Sequence, residues 1–167
     1  MTDRFDPNLP PTSPTSGAIE GEFTRVAIAE QPAIGDGNAV VNRTQSFNID
    51  VDWHVFGNLT PIWLGALAVN TPDWVVTAYA ESQGPGPEVS LGSVNVPVGG
   101  PPFSQDVSYT ATITVLPFTL PEENPGNPNE SGIYKISVTT FLDSSVGGPY
   151  DMIGFADGPR IKVEDPD

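Results

Sequence analysis

The 167-residue chain contains no cysteine, which excludes disulfides, zinc–thiolate centres and thiol chemistry. It has a single histidine, His54, so a His-rich metal site cannot be built, and any Ser-His-Asp relay would have to use that one residue. Basic residues are scarce: six Lys and Arg stand against 21 Asp and Glu, a net charge of −15. Such a surface repels a phosphate backbone and an anionic bilayer, and no basic patch exists to release counterions, so neither nucleic acid nor a membrane surface is an expected partner. Long apolar runs are missing too. The longest, Ile62 to Val69, is far too short to span a bilayer, and Met1 to Pro14 has no apolar core of signal-peptide type. The expectation is a chain without membrane insertion, cytoplasmic by default. Phosphate-cradling glycine loops and a nucleophile elbow of G-x-S-x-G type are absent as well, so the chain is expected to be no enzyme and to carry no cofactor.

What is abundant is punctuation. The 17 Gly and 19 Pro, with Ser and Gln, make up nearly a third of the chain, a level at which low-complexity disorder competes with folding. The breakers fall in clusters, however, and the stretches between them alternate apolar and polar residues, as short strands joined by turns do. Residues 1–20 are Pro-, Ser-, Thr- and Asp-rich without periodicity and read as a disordered or loosely docked acidic arm. Residues 21–167 suit one domain of ordinary size.

The clearest strand is Ser46 to Phe56, where Phe47, Ile49, Val51, Trp53 and Val55 alternate with polar neighbours, the signature of one buried and one wet face. Glu22 to Ala29, Ala39 to Val41, Trp74 to Ser82, Glu88 to Val96, Val107 to Leu116, Ser131 to Leu142 and Pro159 to Glu164 complete the expected set. The fold class is therefore all-β, a sandwich of about seven to nine strands behind a flexible N-terminal arm.

Glu130-Ser131-Gly132-Ile133-Tyr134 resembles the acidic-x-Gly-x-Tyr signature that precedes strand F in immunoglobulin-like domains. The resemblance implies an antiparallel immunoglobulin-like sandwich in which Gly132 and Tyr134 form a structural corner, the Tyr hydroxyl bonding back to the preceding connection. Ile136 stands where that family has its second cysteine. By the same resemblance Ser46 to Phe56 is strand B and Asp73 to Ser82 strand C, with Trp74 or Trp53 as the core tryptophan. No particular function follows from the fold.

Three sets of residues are candidates for chemistry. Asp50, Asp52 and His54 project from one strand face, and carboxylates beside an imidazole are divalent-metal ligands; a solvated outer face is the plainer reading. Glu122, Glu123 and Glu130, in a connection that also has Asn124, Asn127 and Asn129, have calcium-loop composition without calcium-loop spacing. The third set is the connection Gly57 to Pro72. Sixteen residues carrying Ile62, Trp63, Leu64, Leu67 and Val69 are long and apolar for an idle loop. It is expected to hold a helical turn or an extra strand, and either to close the end of the core or to present Ile62, Trp63, Leu64 and Leu67 to a partner. Trp63 and Trp74 are also candidate sugar-stacking platforms.

The expected function is that of a non-enzymatic structural or protein-interaction module, in a homo-oligomer or larger assembly, with protein, including a second copy of itself, as partner. The alternative is a ligand-binding sandwich for a carbohydrate or calcium, using loop acids and an exposed Trp.

Overall fold

Alternation at Phe47 to Val55 translates directly into structure. In the computed structural model, which describes residues 5–7, 19–29, 38–127, 129–145 and 151–165, these five side chains are buried and their neighbours look outward from strand β4 (Phe47–Phe56). Antiparallel partners lie on both sides of it, β2 (Glu20–Ala29) and β7 (Asp106–Val115), giving a three-stranded sheet. The facing sheet has six strands. Its path runs β1 (Phe5–Pro7), β9 (Met152–Glu164), β8 (Ile133–Leu142), β5 (Asp73–Ser82), β6 (Val89–Pro97), and β3 (Asn38–Asn42) also pairs with β9. The molecule is an all-β sandwich of two sheets.

Between the sheets the inward residues of β4 meet those of β5 and β8, namely Trp74, Val76, Ala78 and Ala80 with Tyr134, Ile136, Val138 and Leu142. An aromatic cluster fills one end. Trp53 stacks on Tyr109 at 5.5 Å and meets Trp74 edge-on at 5.9 Å, separations favoured by ring quadrupoles. Both tryptophans that compete for the central core role are fully buried.

Three features depart from expectation. First, one strand pair is parallel: β3 runs alongside β9, Asn38 opposite Arg160 and Asn42 opposite Glu164, whereas all other pairs among the described residues are antiparallel. Second, β9 begins at Met152, not at Pro159. Gly154, Gly158 and Pro159 look like breakers, yet each is accommodated. The β8–β9 register shifts between Lys135 and Ser137, and Gly158 packs there against Ile136 and Val26, where a Cβ would come within 2.9 Å of Val26. This is the role glycine plays at a bulge. Third, the N-terminal arm contains a strand. β1 pairs with β9, and the ring of Phe5 lies between Gly21 and Gly154, where added Cβ atoms would stand 2.6 and 2.3 Å from ring carbons. Phe5 is buried there, 4.7 Å from Phe23 and 5.9 Å from Trp74 between ring centroids. Three residues are too few to leave a period in the sequence. The rest of the arm over residues 1–20 lies outside the described residues, apart from Ile19 and Glu20.

The connection after β4 forms helix α1 (Thr60–Leu67), with proline in its first turn, continued by a 3-10 turn (Ala68–Asn70). Proline there lacks an N–H the helix would leave unpaired anyway. Among the described residues no helix is long and apolar enough to cross a membrane.

Candidate functional site

The corner at Tyr134 is built from backbone geometry. Gly132 adopts φ +66°, a left-handed conformation that favours glycine, and a Cβ at this position would lie 2.6 Å from the Glu123 nitrogen. That close approach brings the preceding connection under Tyr134, whose hydroxyl donates to the Pro121 carbonyl at 3.0 Å. Burial pushes the Tyr134 hydroxyl above its ordinary pKa, and the Glu130 carboxylate adds to the rise. Burial likewise raises Tyr109, whose hydroxyl donates to the Val98 carbonyl at 3.1 Å.

Asp50, Asp52 and His54 do share one face of β4, and each is engaged. Thr112 donates to Asp50 at 2.9 Å and Thr110 to Asp52 at 2.7 Å, while Thr114 donates to Asn48 at 2.9 Å. Arg25 on β2 lies 3.4 Å from Asp50 and 3.8 Å from Asp52. The His54 imidazole sits between Asp106, at 2.9 Å, and Glu22, at 3.9 Å. This is a ladder of cross-strand pairs that satisfies its own acceptors. Among the described residues no three acidic or histidine side chains converge as a metal site would require.

The oxygen-rich connection is spent in the same way. Glu122 faces Arg43 at 3.4 Å and accepts from the Asp165 amide at 3.0 Å. Asn124 caps the Gly126 amide and Asn127 the Asn129 amide, at 3.0 and 3.2 Å. Glu123 and Glu130 belong to the same stretch but make no side-chain hydrogen bond or ion pair among the described residues.

In the helical connection the apolar residues divide by face. Trp63, Leu64 and Leu67 are buried in the core beneath α1, whereas Ile62 is 71% exposed and Val69 82%. Of the four residues expected as interface anchors, only Ile62 is offered to solvent. Trp63 and Trp74, the expected stacking platforms, are both buried, as is Trp53. No tryptophan is exposed in this fold.

The surface that sequence reasoning missed is the outer face of the six-stranded sheet. Register brings Val75 opposite Phe141 and Phe141 opposite Ile153, with Thr77, Thr139 and Phe155 in the next row and Tyr79, Ser137 and Asp157 in the one after. Phe155 is 61% exposed, and Val75 and Phe141 are each more than a third exposed. A groove of about 440 Å³ runs across this face, lined by Tyr79, Glu81, Glu88, Ser137, Phe155 and Asp157 among others. The signal for half of it was present in the sequence: Trp74-Val75-Val76 is apolar on both strand faces, as is Phe141-Leu142. The other half lies on the part of β9 hidden by its glycines.

No protein-family model matches the chain, and no curated protein does.

Proposed function

We propose that this protein is a non-enzymatic interaction module of immunoglobulin-like type that docks a protein partner on the outer face of its six-stranded sheet. The family reading is supported by the Tyr134 corner with its bond to Pro121 and by the buried Trp74 on the strand that pairs with β8. These are the positions at which such sandwiches place a corner tyrosine and a core tryptophan.

The observation that carries the functional reading is the contrast between the two outer faces. On the three-stranded sheet the outward side chains are mostly Thr, Asp, Asn, Arg and His that bond one another, and the one phenyl ring among those of β4, Phe56, is half-buried and stacked on His54. On the six-stranded sheet they include Val75, Phe141, Ile153 and Phe155 in adjoining cross-strand positions, and apolar side chains gathered on one exposed face mark a binding surface. Photo-crosslinking from a benzoylphenylalanine at Thr139, in the centre of the face, tests the reading in the cells that make the protein. A discrete adduct is expected, lost in the Phe141→Ser/Phe155→Ser variant while its melting temperature stays within a few degrees. No adduct, or one that survives the double substitution, overturns it.

A further inference from the structure

The groove on this face is asymmetric in charge, and its chemistry narrows the partner. Its apolar side is formed by Phe155, the most exposed ring on the sheet, and by half-buried Tyr79. Its far end is acidic. Glu81, next to the last β5–β6 pair Ala80–Val89, and Glu88, the residue just before β6, both line it, and like charges gathered at one end of a groove repel. On the opposite sheet and its edges several acids have partners: Asp50 and Asp52 have Arg25 and threonines, Glu122 has Arg43, and Asp106 has His54. The side chains of Glu81 and Glu88 make neither a hydrogen bond nor an ion pair among the described residues. Lys135 stands opposite Glu81 in the β5–β8 ladder, but its ammonium turns to Asp157 at 2.7 Å. One carboxylate of the groove is thus neutralised from within, and two adjacent ones are left beside an aromatic ring.

We propose that this groove receives an extended segment of a partner protein carrying an arginine or lysine. The stem of that side chain crosses Tyr79 and its cationic head lies between Glu81 and Glu88, while an apolar side chain of the same segment rests on Phe155. Each part follows from a general preference: an amphipathic cation covers apolar surface with its stem, its head is attracted to an aromatic face, and a guanidinium or ammonium relieves two facing carboxylates. The net charge of −15 steers such a segment toward the protein from a distance, and the groove then selects its place. This inference rests on the reading of the face as a docking surface and adds the chemistry of what docks.

The test uses the full chain, isotope-labelled, titrated with an acetylated heptapeptide containing one phenylalanine and one arginine, and with its citrulline counterpart. Saturable amide shifts are expected at Tyr79, Ser137, Thr139 and Asp157, with the citrulline peptide at least tenfold weaker. Glu81→Gln/Glu88→Gln should weaken binding of the arginine peptide at least tenfold and Phe155→Ser several-fold. Glu123→Gln/Glu130→Gln, which removes the same charge away from the groove, should change it less than twofold. Equal binding of the two peptides, or equal loss in the two glutamine variants, overturns the proposal, because attraction would then be to net charge alone. Shifts of these amides with a neutral oligosaccharide such as cellohexaose, and none with the arginine peptide, would overturn it in favour of a sugar. In that event a crosslink from Thr139 to a protein would still support the docking face, so the two readings fail separately.

Discussion

A hydroxyl and two missing methyl groups show how much single residues decide here. Tyr134→Phe removes a donor that leaves the Pro121 carbonyl without its partner. A loss of about 1–2 kcal/mol is expected, read from the denaturant midpoint. The same residue makes stability pH-dependent. Its pKa and that of Tyr109 are raised above the usual 10.0 by burial, so the stability these groups lend is complete below pH ~10 and is lost as pH rises through the higher folded values. Alkaline unfolding of Tyr134→Phe should therefore be less steep than that of the native chain above pH ~10, and identical slopes would contradict the assignment. At Phe5 the decisive atoms are absent ones, since Gly21 and Gly154 have no Cβ where the ring lies. Gly154→Ala should expel the ring and cost about as much as Phe5→Ala, ~2 kcal/mol or more. Adding the second substitution to the first should then cost little further, because both remove one contact. Tyr134 and Gly132 were legible in advance through a local motif. The Phe5 slot was not, because its three parts are far apart in the chain.

At the scale of elements, α1 closes the core with Trp63, Leu64 and Leu67 and leaves Ile62 and Val69 outside. Leu64→Ser should cost about 3 kcal/mol or more, the range for emptying a buried leucine site. Ile62→Ser/Val69→Ser should stay within about 0.5 kcal/mol of the native chain, as exposed sites do, and thermal melts of the two variants separate a cap from an outward-facing patch. The reason α1 was readable only as a turn or strand is its length. Eight residues give barely two turns for a period to register. Strand β4 was legible because it pairs on both sides and is buried on one face, which enforces strict alternation. β9 was half hidden because its course depends on what packs over it: Phe5 lies against Gly154, and Val26 and Ile136 against Gly158. A glycine that makes room for a neighbour cannot be told, in one sequence, from a glycine that ends a strand. The apolar outer face was lost with it, since Ile153 and Phe155 belong to that segment.

For the whole molecule, composition spoke clearly about charge, alternation between the breaker clusters gave the fold class, and neither named the partner. With 21 acids against six bases, self-repulsion should weaken the folded state at low ionic strength, and added salt should screen it. A rise in melting temperature of roughly 2–4 °C between low salt and 0.5 M NaCl, equivalent to about 1 kcal/mol, is expected; a flat or falling melt would mean that paired charges such as Arg25 with Asp50 outweigh the excess. The two sheets also differ in when they can exist. β2, β4 and β7 are all synthesised by Val115, whereas among the described residues β1 and β3 have no sheet partner but β9. The slot that takes Phe5 is incomplete until Gly154 is made, and Asn38 pairs with Arg160. At translation rates of about 5–20 residues per second, the arm therefore waits on the order of ten seconds for the strand that will hold it. Throughout that interval the nascent chain trails an unpaired aromatic arm beside an unfinished sheet, and a released chain cut short before Met152 would carry a bare β8 edge open to pairing with another polypeptide.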